Sequence, residues 1–74
     1  PDISQISDEA LSEMIASLPE GYRVVLNLYV FGQMSHKEIA DELGITPSTS
    51  ASQYYHAKKM LANKIKEYNK RLEI

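Results

Sequence analysis

The chain has no cysteine and no tryptophan, a single phenylalanine, and only three glycines and three prolines in 74 residues. Without cysteine there is no disulfide staple and no thiolate metal site, which fits a reducing, cytoplasmic setting. No apolar run approaches the roughly 18 residues of a membrane span, and no signal peptide is visible, so no membrane partner is expected. A glycine-rich phosphate loop is missing, and Ser, His and Asp residues fall at no spacing that makes a triad. The two histidines, His36 and His56, are far apart and do not form a metal site. No enzyme and no cofactor is expected. The chain starts at Pro1 rather than methionine, which fits a segment of something longer. A domain this short keeps much of its surface wet, so its stability is modest.

Positive charge is also scarce in total. The net charge is −2, which taken alone argues against nucleic acid. The average hides a split. Residues 1–44 carry eight acids and two bases (Arg23 and Lys37), a net −6, whereas residues 45–74 carry two acids and six bases, a net +4. The basic part begins with GITPSTSASQYYHAKKML, Gly44 to Leu61, a stretch that opens like a loop and closes like a helix.

The spacing predicts four helices with short connections and no strand. Ser7 followed by Asp8 and Glu9 is a helix start, with apolar spacing through Ala10, Leu11, Met14 and Ile15 to about Ser17. Leu18-Pro19 breaks it, and Pro19 suits the first turn of a second helix with Tyr22, Val25, Leu26 and Tyr29 on one face and Gly32 at its end. Ser35 with Glu38 three residues on is a capping box, and Ile39, Ala40 and Leu43 form a short apolar face that Gly44 stops. Thr46 then reads as an N-cap and Pro47 as the first helical residue. From there Ser50, Tyr54, Ala57, Leu61, Ile65, Tyr68 and Leu72 recur at helical spacing as one stripe. The Ser/Thr run is therefore the first turns of a long fourth helix, not a linker.

A short capped helix, a glycine turn, the apolar plug Ile45 and a second capped helix make a helix-turn-helix, about residues 35–60, within one all-α domain spanning 1–74 and lacking a wing. Ala40 lets the second helix approach, Gly44 takes the positive φ of the turn, and Ile39, Leu43, Ile45 and Tyr54 are expected to lock the pair. Such a unit pushes the N-terminal turns of its second helix into the major groove of duplex DNA. With Tyr54 and Ala57 inward, the outer face holds Ser48, Thr49, Ser52, Tyr55, His56 and Lys59, whose hydroxyls, phenol, imidazole and ammonium suit base edges and phosphates. Backbone N–H groups at the helix start suit a phosphate, and Lys58, Lys59, Lys64 and Lys66 add attraction to the DNA backbone. The plain alternatives are a solvated surface for His56, a helix-start surface for His36, and a carboxylate partner rather than a phosphate for Arg23. Val24, Leu28, Val30 and Phe31 exceed what a solvated helix needs. They close the core against the first helix or form a partner groove, and the first is expected for most of them.

The run from Leu18 to Leu61, LPEGYRVVLNLYVFGQMSHKEIADELGITPSTSASQYYHAKKML, resembles region 4 of bacterial sigma-70 family factors, in particular the extracytoplasmic-function (ECF) group. The match lies in the LP-x-x-x-R opening to Arg23, in SHKEIADELGI, and in T-x-x-S-x-x-x-x-A-K-K-x-L from Thr49 to Leu61. The resemblance implies that the second helix of the helix-turn-helix binds the −35 promoter element and that the domain contacts the β flap of RNA polymerase core. It also implies that anti-sigma factors can occupy the same surfaces, and that the domain is a monomer in isolation. Ser48, Thr49, Ser52, Gln53, Tyr55 and His56 fall where the family touches DNA, Lys58 and Lys59 where it is usually basic, and Arg23 where a DNA phosphate is within reach. Ser50 stands where the family usually has a core residue such as valine, Ala51 where lysine or arginine is common, and Gln53 where arginine often occurs, which implies weaker phosphate attraction. Nothing in the sequence resembles region 2, so a C-terminal domain alone is expected. Output domains of response-regulator type share much of the pattern, and a protein-interaction module without DNA binding fits the acidic total.

Overall fold

A computed structural model describes residues 6–72, and within them the chain forms four helices and no strand. They are α1 (Asp8–Ala16), α2 (Glu20–Val30), α3 (His36–Leu43) and α4 (Pro47–Leu72). The side chain of Leu72, last in the apolar stripe, lies outside the described residues. Ser7 caps α1 by accepting from the Ala10 N–H at 3.1 Å. Pro19 stands one place before α2 as its N-cap, with φ −53° and ψ 147°, rather than inside the first turn.

Gly32 does not end α2 in the way expected. The helix stops at Val30, and the positive φ of the connection, 55°, falls on Gln33. Glycine is needed at 32 for another reason: a Cβ there would lie 2.7 Å from the Leu28 carbonyl oxygen. The chain folds back over its own last turn, and the Met34 N–H donates to that same carbonyl at 3.1 Å.

The capping box of α3 has both halves. The Glu38 N–H donates to Ser35 Oγ at 3.1 Å and the Ser35 N–H donates to Glu38 Oε1 at 2.9 Å. The Ser35 backbone N–H, then its side chain, hold the Glu38 carboxyl below its ordinary value of 4.5. A depressed carboxylate contributes stability above its unfolded pKa and loses it as pH falls through the folded one. Wild type is therefore expected to lose thermal stability more steeply below about pH 4.5 than Glu38→Gln, which keeps an acceptor but cannot titrate. Parallel melting curves from pH 5 to about pH 2.5 would remove Glu38 from the acid response. At the other end of α3, Gly44 takes φ 70° as the turn requires, and the Ile45 N–H reaches back to the Ala40 carbonyl at 3.0 Å.

α4 is the spine, 26 residues long, with α2 and α3 packed on its N-terminal half and α1 more lightly against it. Leu18, Leu26 and Ala57 form the centre of the core, with Ile15, Tyr22, Tyr54, Met60 and Leu61 packed around them. Val25 and Ile39 are fully buried beside it. Two expectations fail at the edges. Leu43 is 40 % exposed and does not lock the helix pair, because it is the last residue of α3. Val24 and Leu28 are half-buried as expected, but Val30 and Phe31 stand 46 % and 66 % exposed at the C-terminal end of α2.

Candidate nucleic-acid interface

Thr46 caps the second helix of the helix-turn-helix. Its Oγ1 accepts from the Thr49 N–H at 3.1 Å and its hydroxyl donates to Thr49 Oγ1 at 2.9 Å. The Ser50 N–H takes the Thr46 carbonyl at 3.0 Å. Pro47 has no N–H, so Ser48 supplies the backbone donor left at the helix mouth, a smaller anion site than a run of free N–H groups.

Two small residues fix the roll of α4. Ser50 and Ala57 are both fully buried. At about 100° per residue, the same turns then place Ser48, Ser52, Tyr55 and Lys59 within an arc of about 60° on the opposite side. All four are exposed. Thr49, Gln53 and His56 lie on the flank nearer α2. With Ser48 and Ser52 they line a shallow groove closed on its far side by Tyr22. The His56 ring sits 5.9 Å from that of Tyr22 and 5.3 Å, edge-on, from that of Tyr55. Gln53 is half-buried, and a methyl group added at Gly21 would meet its amide at 3.5 Å, so Gln53 also packs against the start of α2. Tyr22 belongs to this groove although its spacing marks it only as a core residue of α2. It reaches the groove because α2 packs against α4, which no spacing in the sequence reports.

Lys58 and Arg23 are placed apart from this set. The Lys58 ammonium lies 4.7 Å from the Tyr54 ring centroid, a cation–π contact on the flank away from His56. Arg23 lines a different groove, between α1 and α2, with Ser12, Ile15, Ala16, Asn27 and Phe31.

His36 is not the plain helix-start surface expected. Its Nδ1 lies 2.9 Å from Ser50 Oγ, which joins α3 to α4. Its ring stacks on Tyr29 at 4.5 Å and 18° and meets Tyr54 at 5.8 Å. Tyr29 and Tyr54 close the group at 4.4 Å. The cause is Ser50: a hydroxyl buried on a core stripe needs a partner, and His36, the first residue of the facing helix, supplies it. No buried polar side-chain atom is left without a partner among the described residues. They contain no helix long and apolar enough to cross a membrane, and no His, Cys, Asp and Glu group that would hold a metal.

Four helices, a capped helix-turn-helix and an outward arc on a basic second helix define a DNA-binding domain. Residues 8–61 match the model of sigma-70, region 4, and the chain belongs to that family. Its class is thus DNA binding in transcription initiation, and the family is not one of enzymes. No curated protein and no solved structure matches the chain.

Proposed function

We propose that the chain is a promoter-reading region 4 of an ECF sigma factor, one domain over residues 1–74 that acts in the cytoplasm. In this reading the N-terminal half of α4 binds the −35 element in the major groove while the domain docks on RNA polymerase core through the β flap. The observation that carries it is the roll of α4: the fully buried Ser50 and Ala57 turn Ser48, Ser52, Tyr55 and Lys59 outward together. Ser48, Thr49, Ser52, Gln53 and His56 contact bases and phosphates along the groove edge, with Tyr55 and Lys59 beside them. Lys58 and Arg23 serve the neighbouring phosphates from the flanks. The exposed Val30 and Phe31 support the docking half, since an apolar helix end suits a protein partner such as the flap or an anti-sigma factor.

The test is binding of the chain to a randomised duplex pool by fluorescence anisotropy at low salt, alongside calorimetry with an isolated β-flap fragment. Duplex binding by a monomer, with flap binding, is expected. Duplex binding as a dimer on a palindrome would mark a response-regulator-type output domain. Flap binding with no duplex binding would mark a protein-interaction module.

A further inference from the structure

The arc that α4 turns outward is chemically uneven. Ser48 and Ser52 have short hydroxyls that both donate and accept, so they pair with any base and discriminate weakly. Lys59 is a point charge suited to phosphates or to guanine acceptors. Tyr55 differs from all three. It is a large aromatic, 57 % exposed, in the third turn of the helix. Among the described residues its ring has one aromatic neighbour, the edge-on His56 at 5.3 Å, which leaves a face of the ring open. One turn earlier, toward the helix mouth, the exposed Ala51 presents a methyl group on the same flank. Ala51 and Tyr55 are about 6 Å apart along the helix axis, close to the rise of two base-pair steps at about 3.4 Å each. An apolar edge in a major groove has one specific counterpart among the four base pairs. That counterpart is the 5-methyl group of thymine, because cytosine offers only a C5–H at the same place and the rest of the groove edge is mainly hydrogen-bond donors and acceptors.

We propose that Tyr55, assisted by Ala51, reads thymine 5-methyl groups, so that the bound duplex is selected for thymine at one or two adjacent steps under this flank of α4. This rests on the reading that α4 enters the major groove. The contact is apolar: the ring covers a methyl group and removes both from water, while the phenol hydroxyl stays wet at the groove mouth.

The experiment takes a duplex enriched by the whole chain from a randomised pool at low salt, then resynthesises it with uracil in place of each thymine in turn. Uracil pairs like thymine and lacks only the methyl group. At one or two positions the dissociation constant is expected to rise about 4-fold, as the loss of one buried methyl group implies, and elsewhere to stay unchanged. Tyr55→Ala should bind thymine and uracil duplexes alike. Tyr55→Phe should keep the penalty, because the ring rather than the hydroxyl makes the contact. Lys59→Ala should bind all duplexes more weakly and keep it too. A wild-type chain indifferent to uracil at every position would overturn the proposal, as would a penalty that survives in Tyr55→Ala. A penalty lost in Tyr55→Phe would also overturn it, by assigning the effect to the hydroxyl. If no duplex is enriched at all, the groove-reading role of α4 fails, and the thymine preference fails with it.

Discussion

Replacing His36 by alanine is expected to lower the stability of the domain by about 2 to 3 kcal/mol, from the price of an orphaned buried hydroxyl and the loss of an aromatic stack. Ser50 is fully buried and its hydroxyl is joined to His36 Nδ1 at 2.9 Å. The same ring stacks on Tyr29 at 4.5 Å. A domain of this length has a total stability of about 4 to 11 kcal/mol, so the variant loses a large share of it. The thermal midpoint, followed by circular dichroism, should fall by about 10 to 20 °C. A second substitution separates the causes. Adding Ser50→Ala to the His36→Ala chain removes the orphan and should recover about 1 kcal/mol, a non-additivity that a pure packing loss does not give. A double variant no more stable than His36→Ala would mean that the hydrogen bond is not what Ser50 needs. The consequence reaches function, because this pair pins the first turns of α4 to α3 and so sets the direction of the outward arc.

Lys59→Glu is expected to weaken binding about 10-fold or more on every duplex at low salt, and to flatten the slope of log affinity against log salt by about one unit. Lys59 shares the exposed arc with Ser48, Ser52 and Tyr55, so its ammonium faces the same groove and its reversal puts a carboxylate beside phosphates. Lys58 is the comparison. Its ammonium rests over the Tyr54 ring at 4.7 Å on the other flank, and Lys58→Glu should change the slope less. Anisotropy titrations at a series of salt concentrations measure both. An unchanged slope for Lys59→Glu would remove Lys59 from the phosphate backbone.

What was legible in the sequence is what short-range chemistry writes there. The Ser35–Glu38 box, the positive φ at Gly44 and the Thr46 cap with Pro47 behind it each depend on residues within one turn, and each is in place. The 3.6-residue stripe also fixed the roll of α4, since Ser50 and Ala57 sit at its centre. The features that escaped depend on what two elements bring together. The spacing that places Ser50 inside says nothing of its partner, which is 14 residues away on another helix. Tyr22 reads as a core residue of α2, and only the packing of α2 against α4 brings it to the groove of Ser52 and His56. Gly32 carries the signature of a helix stop, yet a close approach to the Leu28 carbonyl demands it while Gln33 takes the left-handed turn. Arg23 and Lys58 belong by charge with the other candidate residues, but the helix surfaces they stand on separate them from the groove.

The most direct measurement is an NMR titration of the isotopically labelled chain with short duplexes at low salt, following each backbone amide. Shifts concentrated from Thr46 to Lys59, largest at Ser48, Ser52, Tyr55 and Lys59, with the second half of α4 nearly still, are the result expected of a groove-reading helix. Shifts spread evenly over the basic C-terminal turns, or none in α4 at any duplex concentration, would contradict it.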